Sequence, residues 1–195
     1  MPQKPWDAQV ARALITPFAE TWLHPNHVTT LGVGTGLAAA YCYALGGADA
    51  NLGGILFVLT GVIDHADGEL ARMTGKTSEF GHTYDRIADL VVKTSLFVGM
   101  GIGLRDGSLG AAAVPMGFVS GLALGAIFTI RGARAKRKGH IAFAQPSYAG
   151  FELEDLLYLI APVTWLGGLA TFLSLAFVGI PAFAAWSAFL WWRDS

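Results

Sequence analysis

A helix that crosses a bilayer needs roughly 20 consecutive, mostly apolar residues, and this chain consists largely of such runs. Six can be placed: about Val28 to Gly46, Leu52 to Arg72, Gly81 to Leu104, Leu109 to Arg131, Glu152 to Gly167 and Leu169 to Trp192. Little more than Gly167-Gly168 separates the last two, and Pro162 and Pro181 lie within them, so that division rests on turn residues rather than on polarity. Charged residues make up only 14% of the 195, against about 25% in an ordinary soluble domain. The chain lacks the polar surface to face water on all sides. The expected fold class is all-α: a polytopic membrane protein whose residues 1–195 form a single domain, with a juxtamembrane segment 1–27 and a six-helix bundle 28–195.

In the first segment Trp6, Val10, Ala13, Leu14, Pro17, Phe18 and Leu23 recur close to helical spacing, with Lys4, Asp7, Arg12 and Glu20 between them. The pattern predicts an N-terminal amphipathic helix, lying on the membrane surface or packed against the flank of the bundle. It holds no long apolar run of the kind a signal peptide needs. A net charge of -1 leaves no broad basic face for a nucleic acid. Cys42, the only cysteine, excludes an internal disulfide and a cysteine-based zinc site, and reads as a small core residue.

Six spans put both termini on one side of the membrane, with the loops after the second and fourth spans. Those regions hold Lys4, Arg12, Lys76, Arg131, Arg134, Lys136, Arg137, Lys138 and Arg193, and the opposite loops hold Arg105. The positive-inside rule makes the richer side cytoplasmic, and Trp191 and Trp192 beside Arg193 read as an interfacial anchor. The basic run RGARAKRKGH suffices as a topology signal near anionic headgroups. Glycines in LGVGTG, GMGIGL and GLALG read as close helix contacts.

Against this apolar background, DHADGELARMTGKTSEFGHTYDRIAD, Asp64 to Asp89, concentrates charge. Asp64 and Asp67 are three apart near the end of the second span, and Asp85 and Asp89 four apart near the start of the third. Each pair therefore shares a helix face. The short connection makes the spans antiparallel neighbours, so four carboxylates can converge near the cytoplasmic interface. An aspartate within a membrane costs about 2.5 to 3.5 kcal/mol on insertion scales. Bound cations, protonation, or pairing with Arg72 and Arg86 could offset that, but two arginines neutralise at most two of the four. Hard oxygen ligands favour magnesium, manganese or calcium over zinc. A two-metal centre fits the charge count and typically completes its coordination with phosphate oxygens. Gly68 and Ala71 leave room beside the acidic face, and Arg72 could grip a phosphate at two points. The residues point to a diphosphate held by metal ions. A solvated charged loop would account for Lys76, Glu79 and Glu69, but not for Asp64 and Asp89, which sit deeper in apolar sequence.

The order Asp64, Asp67-Gly68, Ala71-Arg72, Gly81, Asp85, Asp89 resembles the signature of the CDP-alcohol phosphotransferase family, D-x2-D-G-x2-A-R-x8-G-x3-D-x3-D, at every spacing. HPNHVT, before the first span, is similar to the family's P-N-x-x-T element, and six helices after a juxtamembrane helix match its architecture. The resemblance implies that Asp64, Asp67, Asp85 and Asp89 hold two Mg2+ or Mn2+ ions, and that Asp89 also takes the proton of the acceptor hydroxyl. Gly68, Ala71, Arg72, Ser78 and Gly81 would line the CDP donor, and Asn26 and Thr29 would close over it. The alkoxide would attack the phosphorus distal to cytidine and CMP would leave. It further implies an integral protein of a bacterial or archaeal plasma membrane that works in phospholipid biosynthesis as a homodimer.

The donor of widest use in such a family is CDP-diacylglycerol; other branches carry a head group on CDP or join two polar molecules. Glu69 after Gly68 resembles the branches that handle inositol phosphate. Arg131 and Arg134 are candidates for a phosphate on the acceptor, whereas Glu152, Glu154 and Asp155 would suit a cationic or polyhydroxyl one. Two rivals explain less. A membrane prenyltransferase carries its aspartate motifs far apart in sequence. A cation transporter would use buried carboxylates but gives no reason for Gly68, Ala71, Arg72 and Gly81.

Overall fold

The computed structural model describes residues 6–138 and 157–193, and side chains within 8–130 and 157–193. The described residues contain no strand: they form α1 (Trp6–Ile15), α2 (Pro25–Leu45), α3 (Asp49–Thr74), α4 (Glu79–Gly103), α5 (Ala113–Lys138), α6 (Ile160–Trp165) and α7 (Leu169–Arg193).

Local chemistry sets the ends that matter for the site. Pro25 occupies the first turn of α2, where its missing N–H costs nothing. His24 and His27 cap that turn reciprocally: His24 Nδ1 accepts from Asn26 N at 3.2 Å, and His27 Nδ1 accepts from His24 N at 3.3 Å. Gly75, at φ 66°, ends α3 in the left-handed conformation glycine adopts without strain. Ser78 then starts α4 as its N-cap, its Oγ accepting from Gly81 N at 2.9 Å. A stop and a start this close turn the chain back from α3 into α4, but against expectation the two helices pack little on each other, and each packs instead on α2.

α2 packs against both members of the hairpin, α4 against α5, and α5 against α7, while α1 and α6 lie on α3. Tyr43, Phe97, Leu96, Met100, Ile160 and Leu173 are fully buried where these helices meet. The glycines of GMGIGL let the backbones touch as expected: a methyl group added at Gly99 or Gly103 would collide with the carbonyl oxygen of Ala40 or Tyr43 on α2.

Among the described residues, three helical stretches are long and apolar enough to cross a membrane: Pro25–Leu45, Gly110–Ile130 and Leu169–Arg193. The other three predicted spans differ from expectation for identifiable reasons. α3 and α4 have 26 and 25 residues, but one end of each carries the charges of the carboxylate run. The fifth span is represented by the six-residue α6; residues 139–156, with Glu152, Glu154 and Asp155, lie outside the described residues. The turn that divides it from the last helix is where the sequence places it, with Gly167 at φ 73°. α1 sets Ala11 and Ile15 against Ala66 and Leu70 of α3 and leaves Val10 and Leu14 exposed. The flank-packed reading thus describes its inner face, and the outer face exposes Gln9 and Arg12 beside Val10 and Leu14.

Candidate active site

The hairpin brings Asp64 and Asp67 from the last turns of α3 against Asp85 from the first turns of α4. One carboxylate oxygen from each lies within 4.8 Å of the other two. Asp67 is almost wholly buried, and Thr29 Oγ1 on α2 donates a hydrogen bond to its Oδ2, fixing one rotamer of the carboxylate. Asp89 is not part of this trio. Its Oδ2 accepts from Lys93 Nζ at 2.7 Å, one turn further along α4, and the Lys93 ammonium lies 4.2 Å from the centre of the Phe128 ring on α5. Lys93 thus supplies a cation beside the carboxylates that the sequence analysis overlooked. The i,i+4 spacing from Asp89 was the available signal.

A cleft of about 160 Å3 opens beside the trio. All seven residues expected at the donor, Asn26, Thr29, Gly68, Ala71, Arg72, Ser78 and Gly81, line it together with Asp67 and Asp85. Gly81 has a clear steric reason: a Cβ there would sit 3.1 Å from Ser78 Oγ and 3.4 Å from Asn26 Oδ1. The space beside Gly68 belongs to Arg72, whose Nη1 would lie 3.3 Å from a Cβ at that position. Lys76, Thr77 and His82 also line the cleft. Lys76 donates to the Leu23 carbonyl at 3.3 Å, joining the α3–α4 turn to the segment that precedes α2.

Arg72 does not neutralise the aspartates. Its Nη2 donates to Glu69 Oε1 at 2.9 Å, and Glu69 is buried and absent from the lining of the cleft. Glu69 therefore does not reach the cleft, and a solvated charged loop does not describe it: the carboxylate is buried and meets arginines. His65 bonds within its own helix, Nδ1 to the Gly61 carbonyl at 3.0 Å. Arg131 and Arg134 belong to α5, but their side chains lie outside those described.

Three converging carboxylates, with Arg72 turned to Glu69, suit a hard divalent cation such as Mg2+ or Mn2+. A polar cleft with a guanidinium and an ammonium at its edge suits a phosphorylated ligand beside it.

Known proteins resemble this chain. Over 85 residues the chain is 34% identical to archaetidylinositol phosphate synthase of Pyrococcus horikoshii, an alignment that spans 44% of this chain and 44% of that relative. Its fold is similar to the crystal structure of Mycobacterium tuberculosis phosphatidylinositol phosphate synthase (PgsA1) with CDP-DAG bound. The TM-score is 0.71, with 96% of this chain and 94% of the other covered at 20% sequence identity, a likeness of fold. A family model for CDP-alcohol phosphatidyltransferases matches residues 22–192, which takes in the α2 cap, the carboxylate hairpin, the cleft and all but the last turn residue of α7. The chain belongs to the CDP-alcohol phosphatidyltransferase family.

Proposed function

We propose that the protein transfers a substituted phosphate group from a CDP-alcohol, CDP-diacylglycerol being the donor, to the hydroxyl of an acceptor alcohol, with release of CMP. The observation that carries this reading is the convergence of the donor residues and two aspartates on one cleft beside three clustered carboxylates. The acceptor is of the inositol phosphate class. That choice is supported by the two relatives, which are named as inositol phosphate lipid synthases.

Asp64, Asp67 and Asp85 would hold the two Mg2+ or Mn2+ ions, joined by Asp89, and such ions neutralise charge on phosphoryl oxygens. The chain's own residues then do the positioning. Arg72 and Lys76 offer cations to the diphosphate, and Asn26, Ser78 and Gly81, which lie close together, line the same cleft. Asp89 takes the acceptor proton as the new oxygen–phosphorus bond forms. The bond between the two phosphates breaks, and its electron pair leaves on CMP. The Lys93 ammonium, held between Asp89 and the Phe128 ring, fixes where that carboxylate stands. Arg131 and Arg134 on α5 are the candidates for the acceptor phosphate.

The same reading makes the chain a single membrane domain of six spans with a juxtamembrane helix. Both termini and the cleft would face the cytoplasm of a bacterial or archaeal cell, with the chain working as a homodimer. Support comes from the lysine and arginine distribution and from the three strongly apolar helices. Purified protein with CDP-diacylglycerol, Mg2+ or Mn2+, and a panel of alcohols that includes inositol phosphate provides the test, with CMP followed by chromatography. CMP formed with inositol phosphate is the expected result. CMP with another alcohol alone would refute the acceptor, and no CMP from any pair would refute the activity.

A further inference from the structure

Glu69 is the most deeply buried carboxylate on α3, its side chain 2% exposed, and its two oxygens are divided between arginines of different helices. Oε1 accepts from Arg72 Nη2 at 2.9 Å, and Oε2 lies 3.6 Å from Arg12 Nη1 on α1. Both arginines are more than half exposed, at 60% and 53%. A buried anion thus grips two surface cations by their heads. The packing around it has the same layout: Ala11 and Ile15 of α1 rest on Ala66 and Leu70, which flank Glu69 along α3. Arg72 meanwhile lies across Gly68 beside the cleft, where a Cβ would come within 3.3 Å of its guanidinium. A free arginine side chain holds about 2 kcal/mol of rotamer entropy, so an arginine that must meet a diphosphate binds it better when already held.

We propose that Glu69 is a positioning residue, which holds the Arg72 guanidinium over Gly68 for the donor diphosphate and, through Arg12, ties it to the seating of α1. The identity of the anion rests on the function proposed above; the clamp itself rests on geometry. α1 turns Val10 and Leu14 outward, so the helix fastened to the donor site by Glu69 also presents apolar side chains to its surroundings. Donor affinity and α1 docking are therefore linked through one carboxylate.

The test uses the full chain in lipid nanodiscs, with Glu69→Gln and Arg12→Ala measured for CDP-diacylglycerol kinetics and for hydrogen exchange of residues 8–15. Glu69→Gln keeps shape and removes the charge. Its donor KM is expected to rise about tenfold with kcat changed less than about threefold, the pattern of lost uniform binding. Exchange in 8–15 should quicken in both variants, with a donor KM increase of about threefold in Arg12→Ala. Unchanged KM and unchanged exchange in both variants would overturn the proposal, as would a fall in kcat at constant KM. If Glu69→Gln does not fold, the half-exposed Arg12→Ala decides by the same two readouts. A wild-type chain that releases no CMP refutes the functional reading and leaves the clamp to be judged by exchange alone. Quicker exchange in both variants then supports it, and unchanged exchange overturns it.

Discussion

Thr29→Val removes one hydroxyl and leaves the shape of the side chain almost intact, which makes it a sharp probe of how Asp67 is held. Thr29 and Asp67 are 6% and 5% exposed, so any water that replaces the lost donor must enter through the cleft. A hydrogen bond to a charged group contributes about 1.5–3 kcal/mol, and partners that orient a metal-ligating residue typically change metal affinity by about 10- to 100-fold. The two ranges agree. The Mn2+ concentration for half-maximal binding, read from the paramagnetic resonance of free Mn2+, should rise by about 10- to 100-fold in Thr29→Val. Thr29→Ser, which restores the donor, should stay within about threefold of wild type. CMP release should show the same shift along the metal axis, with its maximum recovered at high Mn2+. A folded Thr29→Val protein with wild-type metal dependence would refute the idea that the α2 hydroxyl sets the rotamer of Asp67.

Asp67→Asn should abolish turnover through loss of metal; retained activity with normal Mn2+ binding would end its assignment as a ligand. Asp89→Asn should lose turnover while still binding CDP-diacylglycerol in a nanodisc pull-down, and normal kcat in that variant would remove Asp89 as the base. Gly103→Ala drives a methyl group against the Tyr43 carbonyl, and overpacking of this kind costs about 1–3 kcal/mol. At about 2–4 °C per kcal/mol for a chain of this size, its melting temperature should drop by several degrees, whereas Gly34→Ala, which meets nothing within 4 Å, should melt close to wild type.

Much of the site was legible because its parts are local. Three- and four-residue spacings place Asp64 with Asp67 and Asp85 with Asp89, and Gly75 and Ser78 mark the turn that brings the two pairs together. The residues expected at a donor were legible through their fixed intervals, and all of them line one cleft. The count of membrane spans was less legible, because α3 and α4 serve two demands at once and the charges of the site dilute the apolar signal. A solvated loop was the wrong place for Glu69 for a related reason: its position in the motif shows the partner three residues away, Arg72, but not the one on α1 that helps to bury it.

The sequence by itself determined the helical periodicity, the hairpin, the carboxylate pairs and the metal type they suit, since each follows from spacing within a helix or from the chemistry of one side chain. Only the tertiary structure decided which groups meet across helices: Thr29 with Asp67, Arg12 with Glu69, and Lys93 with Phe128. The physical reason is that such meetings depend on how far each helix is rotated and how closely backbones approach. Those quantities come from packing at glycines such as Gly99 and Gly103, summed over the whole bundle.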